Sequence, residues 1–213
     1  RGRPLVLNGK VFQVSPDGAT LETTIDKQLQ YELERQLEIV SQRQKALKAV
    51  GVIVDPNSGE VLAMASYPAF DPKNPNQVNP DLRRNRAVTD IFEPGSTFKI
   101  VMAAAALRTG RIFPNTKFFC ENGNFKIGQH VIHEAESTHK YGWLTLSEIM
   151  ELSSNIGSTK VAFDVGQEKF REMTRAFGFL SKTGIDFVGE ARGLLSDKQW
   201  SNHLFSNISF GHG

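Results

Sequence analysis

Apolar positions along the chain change period from element to element. Leu29, Leu33, Leu37 and Val40 recur at spacings of four, four and three, with charged and polar residues between them as far as about Lys48. That spacing predicts a helix with one apolar face, opened by Asp26 as its N-cap. Residues 50–54 are rich in β-branched side chains, and residues 61–65 form a second apolar run. Between them, Asp55-Pro56-Asn57-Ser58-Gly59 is strong turn chemistry, so the pair predicts an antiparallel hairpin. Residues 1–24 alternate short polar and apolar stretches, broken at Asn8-Gly9 and Pro16-Asp17-Gly18, and predict extended segments and turns. Residues 67–81 hold Pro68, Pro72, Pro75 and Pro80 and read as a loop.

Further on the period is helical again. Ser96 to Arg108 reads as a helix dense in alanine (residues 103–106), with Gly110 just past its end. So much alanine predicts close packing on several sides. Residues 111–143 are irregular with some strand. Thr145-Leu146-Ser147-Glu148 is a capping box for a short helix, and residues 156–165 and 167–177 predict two more. The remainder reads as glycine-rich loop with Trp200 and a phenylalanine-containing tail. One hairpin among many helices predicts an α+β fold, and no internal repeat is visible.

Composition narrows the function classes. The 213 residues are 39% hydrophobic and 23% charged, ordinary for a globular chain. A net charge of +2 gives no argument for nucleic acid or an electrostatic membrane patch. The single cysteine, Cys120, excludes an intrachain disulfide. No apolar run approaches the roughly 18 residues of a membrane-spanning helix. The opening Arg1-Gly2-Arg3-Pro4 has no apolar signal core. If the protein is anchored or exported, the segment responsible is expected outside these residues.

The candidate chemistry lies in Phe92-Glu93-Pro94-Gly95-Ser96-Thr97-Phe98-Lys99. A serine and a lysine at i and i+3 share a helix face one turn apart. Pro94-Gly95 makes a sharp turn that leaves Ser96 at the helix N-terminus, where free N–H groups favour a developing oxyanion. A serine hydroxyl needs a base, and a lysine serves only when burial lowers its pKa. Read blandly, Ser96 is a cap and Lys99 a solvated cation. A second triplet, Ser153-Ser154-Asn155, stands 57 positions after Ser96; its bland reading is a polar turn that ends a helix.

Longer stretches carry a resemblance. Asn85-Arg86-Ala87-Val88-Thr89-Asp90 leading into the Ser96 segment resembles the active-site approach of class B (monofunctional) penicillin-binding proteins. So do Thr23-Thr24-Ile25-Asp26, the hairpin from Val54 to Ala65, Ser153-Ser154-Asn155-Ile156-Gly157, and Thr183-Gly184-Ile185-Asp186 through Glu190. Such enzymes use Ser-x-x-Lys, then Ser-x-Asn, then Lys-Thr/Ser-Gly. The resemblance covers residues 20–213 and is nearest the cell-division subgroup.

It implies an α+β fold of the penicillin-binding and serine β-lactamase type, with an antiparallel sheet flanked by helices. Residues 1–24 would be an extended linker from a preceding domain, and residues 25–213 part of a transpeptidase domain. The implied reaction is peptidoglycan cross-linking. Ser96 attacks the D-Ala-D-Ala carbonyl of a stem peptide, Lys99 takes its proton, Ser153 relays a proton to the leaving group, and Asn155 holds the substrate amide. β-Lactams would acylate the same serine. No metal or organic cofactor and no nucleic acid is implied. The expected partners are wall-synthesis and divisome proteins, and the expected place is the periplasmic face of the inner membrane.

Lys182-Thr183-Gly184 spells the third motif, but its flanks, Gly178 and Ile185-Asp186 with Gly189, are loop-like. It is expected to be a decoy. The tail Ser209-Phe210-Gly211-His212-Gly213 resembles a landmark that precedes the true motif, so the sequence is expected to stop short of it. The sheet would then have an unpaired edge, and these residues alone would acylate weakly. His130, His133, Glu134 and His139 match no common zinc pattern and are expected to be structural or on the surface. Cys120 is expected to be a packed thiol, Phe113, Phe118, Phe119 and Phe125 packing residues, and Arg43, Lys45 and Lys48 solvated; Arg83, Arg84 and Arg86 are either a solvated face or, the favoured reading, structural ties for the loop before Ser96. Two other functions compete: a class D-type β-lactamase or β-lactam sensor, disfavoured by Asn155, and a non-catalytic scaffold, which would survive loss of Ser96.

Overall fold

The structure is a computed structural model and describes residues 5–7, 10–13, 18–74 and 79–213. The turns expected at Asn8-Gly9 and Pro16-Asp17, and Pro75, lie outside the described residues. The chain divides into two compact units, Arg1–Ala87 and Val88–Gly213.

In the first unit, strands β1 (Leu5–Leu7) and β2 (Lys10–Gln13) pair antiparallel. Helix α1 (Lys27–Gln44) starts where Asp26 accepts hydrogen bonds from the Gln28 and Leu29 N–H groups. It stops at Lys45, which is left-handed at φ 54°. Of the four residues on its apolar stripe, Leu33 and Leu37 are half-buried, while Leu29 and Val40 are exposed. Strands β3 (Ala49–Val54) and β4 (Val61–Tyr67) form the expected antiparallel hairpin. Gly51 lets α1 press onto it, since a Cβ there would lie 2.6 Å from Leu33 Cδ1. Gln30 locks helix to strand by bonding both the N–H and the carbonyl of Met64. Arg86, opening the single turn α2 (Arg86–Thr89), is buried and paired with the Asp81 carboxylate. Arg43, Lys45 and Lys48 are exposed, as expected of a solvated end.

The second unit contains the candidate chemistry. Ser96–Arg108 is not one uniform helix. A 3-10 turn, Gly95–Phe98, leads into α3 (Lys99–Arg108). The alanines pack closely: Ala105 and Ala106 are buried, and Ala103 and Ala104 lie against the core. Residues 111–143 form short antiparallel pairs, β5 (Lys117–Phe119) with β8 (Trp143–Thr145) and β6 (Asn124–Ile127) with β7 (His130–His133). The capping box at Thr145 and Glu148 forms as expected and opens α4 (Leu146–Glu151). Helices α5 (Asn155–Val165) and α6 (Gln167–Ala176) follow.

The tail departs from expectation. Residues 202–209, read as loop, form helix α7 (Asn202–Ser209), capped by the Ser201 hydroxyl on the Leu204 N–H. Its Asn, Ser and His residues are weak helix formers, so the capping bond and burial of Phe205 and Ile208 decide the outcome. Helix α5 lies at the centre of this unit and touches α3, α4, α6 and α7. Beside them Trp200 is buried against Phe170 and Phe205, with the Arg171 guanidinium 3.5 Å from its ring centre. No helix of the described residues is long and apolar enough to cross a membrane.

Candidate active site

The nucleophile candidate sits on a backbone shaped by two glycines. Gly95, at φ 59°, takes a left-handed turn that a side chain would oppose, and its N–H donates to the Gly211 carbonyl at 3.1 Å. Gly211 is also left-handed, at φ 85°, and a Cβ there would sit 2.1 Å from the Gly95 oxygen. The tail therefore fixes the turn immediately before Ser96. Ser96 is exposed and lies in the first turn of the 3-10 stretch, so no helical carbonyl accepts its N–H. In a 3-10 turn, residues i and i+3 eclipse, which stacks position 99 over position 96.

Lys99 is 1% exposed. Its ammonium donates to the Ser153 carbonyl, to the Ser153 hydroxyl at 2.9 Å and to Asn155 Oδ1 at 2.9 Å. Those three acceptors use all three donors of an ammonium. Burial pulls the Lys99 pKa from its ordinary 10.5 down to about 8, against the opposing pull of the Glu134 charge. About a tenth of such lysines are neutral at pH 7. In the neutral amine, the two carbonyl acceptors still hold two N–H groups. One of the three directions becomes a lone pair able to take a proton.

The Ser153-Ser154-Asn155 turn is built between two helix ends. The Ser153 N–H bonds the Met150 carbonyl and the Ser154 N–H bonds the Ile149 carbonyl. This pair of bonds is a Schellman closure of α4. The left-handed residue of such a closure is usually glycine, yet here it is Ser153 at φ 53°. A side chain in that conformation costs roughly 1 kcal/mol, and the Ser153 hydroxyl it carries reaches Lys99. The next residue, Ser154, is fully buried and is already the N-cap of α5, accepting the Gly157 N–H at 2.9 Å.

The structure thus brings Lys99, Ser153 and Asn155 into direct contact and puts Ser96 one turn before Lys99. It also gives Glu134 a place at this turn that the sequence did not indicate. Glu134, grouped by spacing with surface histidines, is 7% exposed and accepts from Ser154 Oγ and from the Asn155 N–H, each at 2.7 Å. No local spacing announces a contact across some twenty residues. Two of the histidines go elsewhere, His130 stacking on His203 at 3.8 Å and His139 lying beside Glu136 and Tyr141, while the His133 carbonyl accepts from Asn155 Nδ2 at 3.2 Å. Cys120 is a buried thiol whose pKa burial raises to about 11. Phe125 packs on Phe163 beneath the Lys160 ammonium, whereas Phe113 is exposed. Lys182-Thr183-Gly184 lies in an exposed loop where Thr183 bonds Glu190, and not on a strand.

A cleft of about 730 Å³ adjoins the approach to Ser96, lined by Phe92, Pro94, Phe179, Leu194, Ile208 and His212 among others. None of Ser96, Lys99, Ser153 or Asn155 lines it. Lys99, Ser153 and Asn155 converge, with Ser96 one turn before Lys99. A serine in a 3-10 turn, followed one turn later by a buried lysine held by a Ser-x-Asn turn, carries the kinds of group that nucleophilic acyl transfer uses.

Comparison with known proteins agrees with that class. Residues 49–213 match the family model described as the penicillin-binding protein transpeptidase domain. The chain is 35% identical to the peptidoglycan D,D-transpeptidase FtsI of Escherichia coli over 194 residues, 91% of this chain and 32% of that protein. It is 36% identical to the penicillin-binding protein PbpB of Mycolicibacterium smegmatis over 199 residues, 92% and 30%. Among solved structures, the transpeptidase domain of Burkholderia pseudomallei penicillin-binding protein 3 superposes with a TM-score of 0.76 at 30% identity, covering 93% of this chain and 55% of that one. Penicillin-binding protein 3 of Mycobacterium tuberculosis, complexed with aztreonam, gives 0.78 at 32% identity, covering 89% and 42%. The chain belongs to the penicillin-binding protein transpeptidase family and has its α+β fold. It spans about a third of the length of the curated relatives it matches.

Proposed function

We propose that this chain carries the nucleophile half of a serine D,D-transpeptidase that cross-links peptidoglycan stem peptides. The observation that carries the reading is the buried Lys99, shared between Ser153 and Asn155 and one turn from Ser96. In the first step, Ser96 Oγ bonds to the carbonyl carbon of the penultimate D-Ala and its proton passes to neutral Lys99. The oxyanion is met by the Ser96 N–H. The amide C–N bond then breaks, and the proton on Lys99 travels through the Ser153 hydroxyl to the leaving D-Ala nitrogen. Asn155 holds the substrate amide. In the second step, an amine from a neighbouring stem attacks the ester, the new amide forms and Ser96 regains its proton.

In this reading a β-lactam acylates Ser96 by the same first step. The aztreonam complex of the mycobacterial relative supports that extension. The second oxyanion donor and the group that binds the substrate carboxylate come from a Lys-Thr/Ser-Gly element other than Lys182-Thr183-Gly184. Residues 25–213 are then part of the catalytic domain and residues 1–24 its lead-in. The reading extends to septal wall synthesis by a membrane-anchored protein acting outside the cytoplasm, alongside other wall-synthesis proteins.

The test is release of D-Ala from a stem peptide ending in D-Ala-D-Ala by the full-length protein. Ser96→Ala should abolish release while leaving the thermal midpoint unchanged. Release that persists in Ser96→Ala would refute the reading.

A further inference from the structure

We infer that Glu134 is a positioning residue for this site, holding the Ser153-Ser154-Asn155 turn through both carboxylate oxygens and setting the charge that Lys99 faces. The inference rests on the function proposed above. Ser154 Oγ accepts the Gly157 N–H and donates to Glu134 Oε1 at 2.7 Å, a far closer acceptor than Cys120 Sγ at 3.8 Å. The Asn155 N–H heads α5 and would have no helical partner; it donates to Glu134 Oε2, also at 2.7 Å. Both are short bonds to a buried carboxylate, the strong kind. The residues they fix flank the groups that touch Lys99: Ser154 follows Ser153, and Asn155 supplies Oδ1 to the ammonium. Asn155 is tied a second time, because its Nδ2 donates to the His133 carbonyl beside Glu134. The strained Ser153 therefore lies between a Schellman closure on one side and this carboxylate clamp on the other.

The Glu134 charge also acts through space. It holds the proton on Lys99 and so opposes the effect of burial. Several other charged or titratable groups share its surroundings. Cys120 and Tyr141 both have their pKa values raised, by burial first and by Glu134 second or third. Lys160 is paired with Glu121 at 2.6 Å. Glu136, His133, His139 and Lys140 line a cavity of about 360 Å³ together with Glu134. Among the groups in the proposed mechanism, only Lys99 titrates, so the carboxylate's influence on the reaction should be visible as a shift in that titration.

A glutamine at position 134 keeps the shape but cannot keep both bonds. Its amide offers one acceptor oxygen and an NH2 group, which would face a second donor. An aspartate keeps charge and acceptors one methylene short. Removing the Ser154 hydroxyl breaks half the clamp without changing any charge.

The experiment is the second-order rate of acylation by a reporter penicillin, followed across about pH 6 to 10 with the full-length protein. Glu134→Gln should lower the alkaline plateau about tenfold or more. It should also move the acid limb down by about half a pH unit or more, because Lys99 loses the charge that holds its proton. Ser154→Ala should lower the plateau and leave the limb in place. Glu134→Asp should leave the limb in place and recover part of the plateau. A folded Glu134→Gln protein with a wild-type plateau and an unmoved limb overturns the inference. If Glu134→Gln does not fold, Ser154→Ala decides: a wild-type plateau there overturns it equally. Mapping the wild-type adduct separates this from the wider reading, since an adduct away from Ser96 refutes the proposed function itself.

Discussion

Lys99→Met removes the most deeply buried cation in the described residues, and its effect on stability is set by pH. In the unfolded chain the lysine titrates at the ordinary 10.5, and in the folded chain at about 8. Below about pH 8 both states are protonated and the folded state bears the whole cost of the buried charge. Between the two values the unfolded state holds a proton that the folded state has released, so stability rises with pH. At about 1.4 kcal/mol for each pH unit of separation, the full gain is roughly 3 kcal/mol, of which about 2.5 is reached by pH 10. Urea unfolding read by tryptophan fluorescence reports on the right unit, because buried Trp200 and exposed Trp143 are the two tryptophans and both lie in residues 88–213. The wild-type chain should gain about 2.5 kcal/mol relative to Lys99→Met between pH 7 and pH 10. Cys120 and Tyr141 also titrate at high pH, but they are common to both proteins and cancel in the difference. Parallel stability curves for the two would refute the burial argument, and with it the claim that Lys99 is poised to act as a base.

Three further substitutions test the scaffold around the site. Gly211→Ala would drive a Cβ into the Gly95 carbonyl and displace the turn before Ser96; the acylation rate of the full-length protein should fall about a hundredfold, as about 1 Å of misplacement can cost. Gly157→Ala brings a methyl within 2.5 Å of buried Ile149; overpacking of about 1–3 kcal/mol should exceed the roughly 1 kcal/mol gained in helix propensity, so the thermal midpoint should drop. Lys182→Ala and Thr183→Ala should each leave acylation within about twofold of wild type, as surface loop changes do; a loss of tenfold or more would make Lys182-Thr183-Gly184 the working third motif.

The parts of the fold that sequence declares are those fixed by local chemistry. Asp26 and the Thr145–Glu148 box cap their helices because the bonds span only a few residues. The β3–β4 hairpin follows from Asp55-Pro56-Asn57-Ser58-Gly59 between two apolar runs. Ser96 and Lys99 are legible for the same reason, since an i, i+3 relation is visible in any helix-like turn. What the sequence conceals is long-range. The Gly95–Gly211 bond, the burial of Glu134 and the seat of Ser153 on Lys99 all join residues far apart in the chain. Helix α7 was hidden because its residues are poor helix formers that tertiary burial overrides. Ser153 breaks a local rule, taking the left-handed place of a glycine, and it does so at the residue whose hydroxyl touches the buried lysine.

Acylation should fall on Ser96 Oγ. Exposure of the full-length protein to a β-lactam, followed by proteolysis and mass spectrometry, should place the added mass on the peptide containing Ser96 and on that residue within it. The adduct should vanish in Ser96→Ala and form far more slowly in Lys99→Met. An adduct on any other residue, or one that persists in Ser96→Ala, would contradict the account.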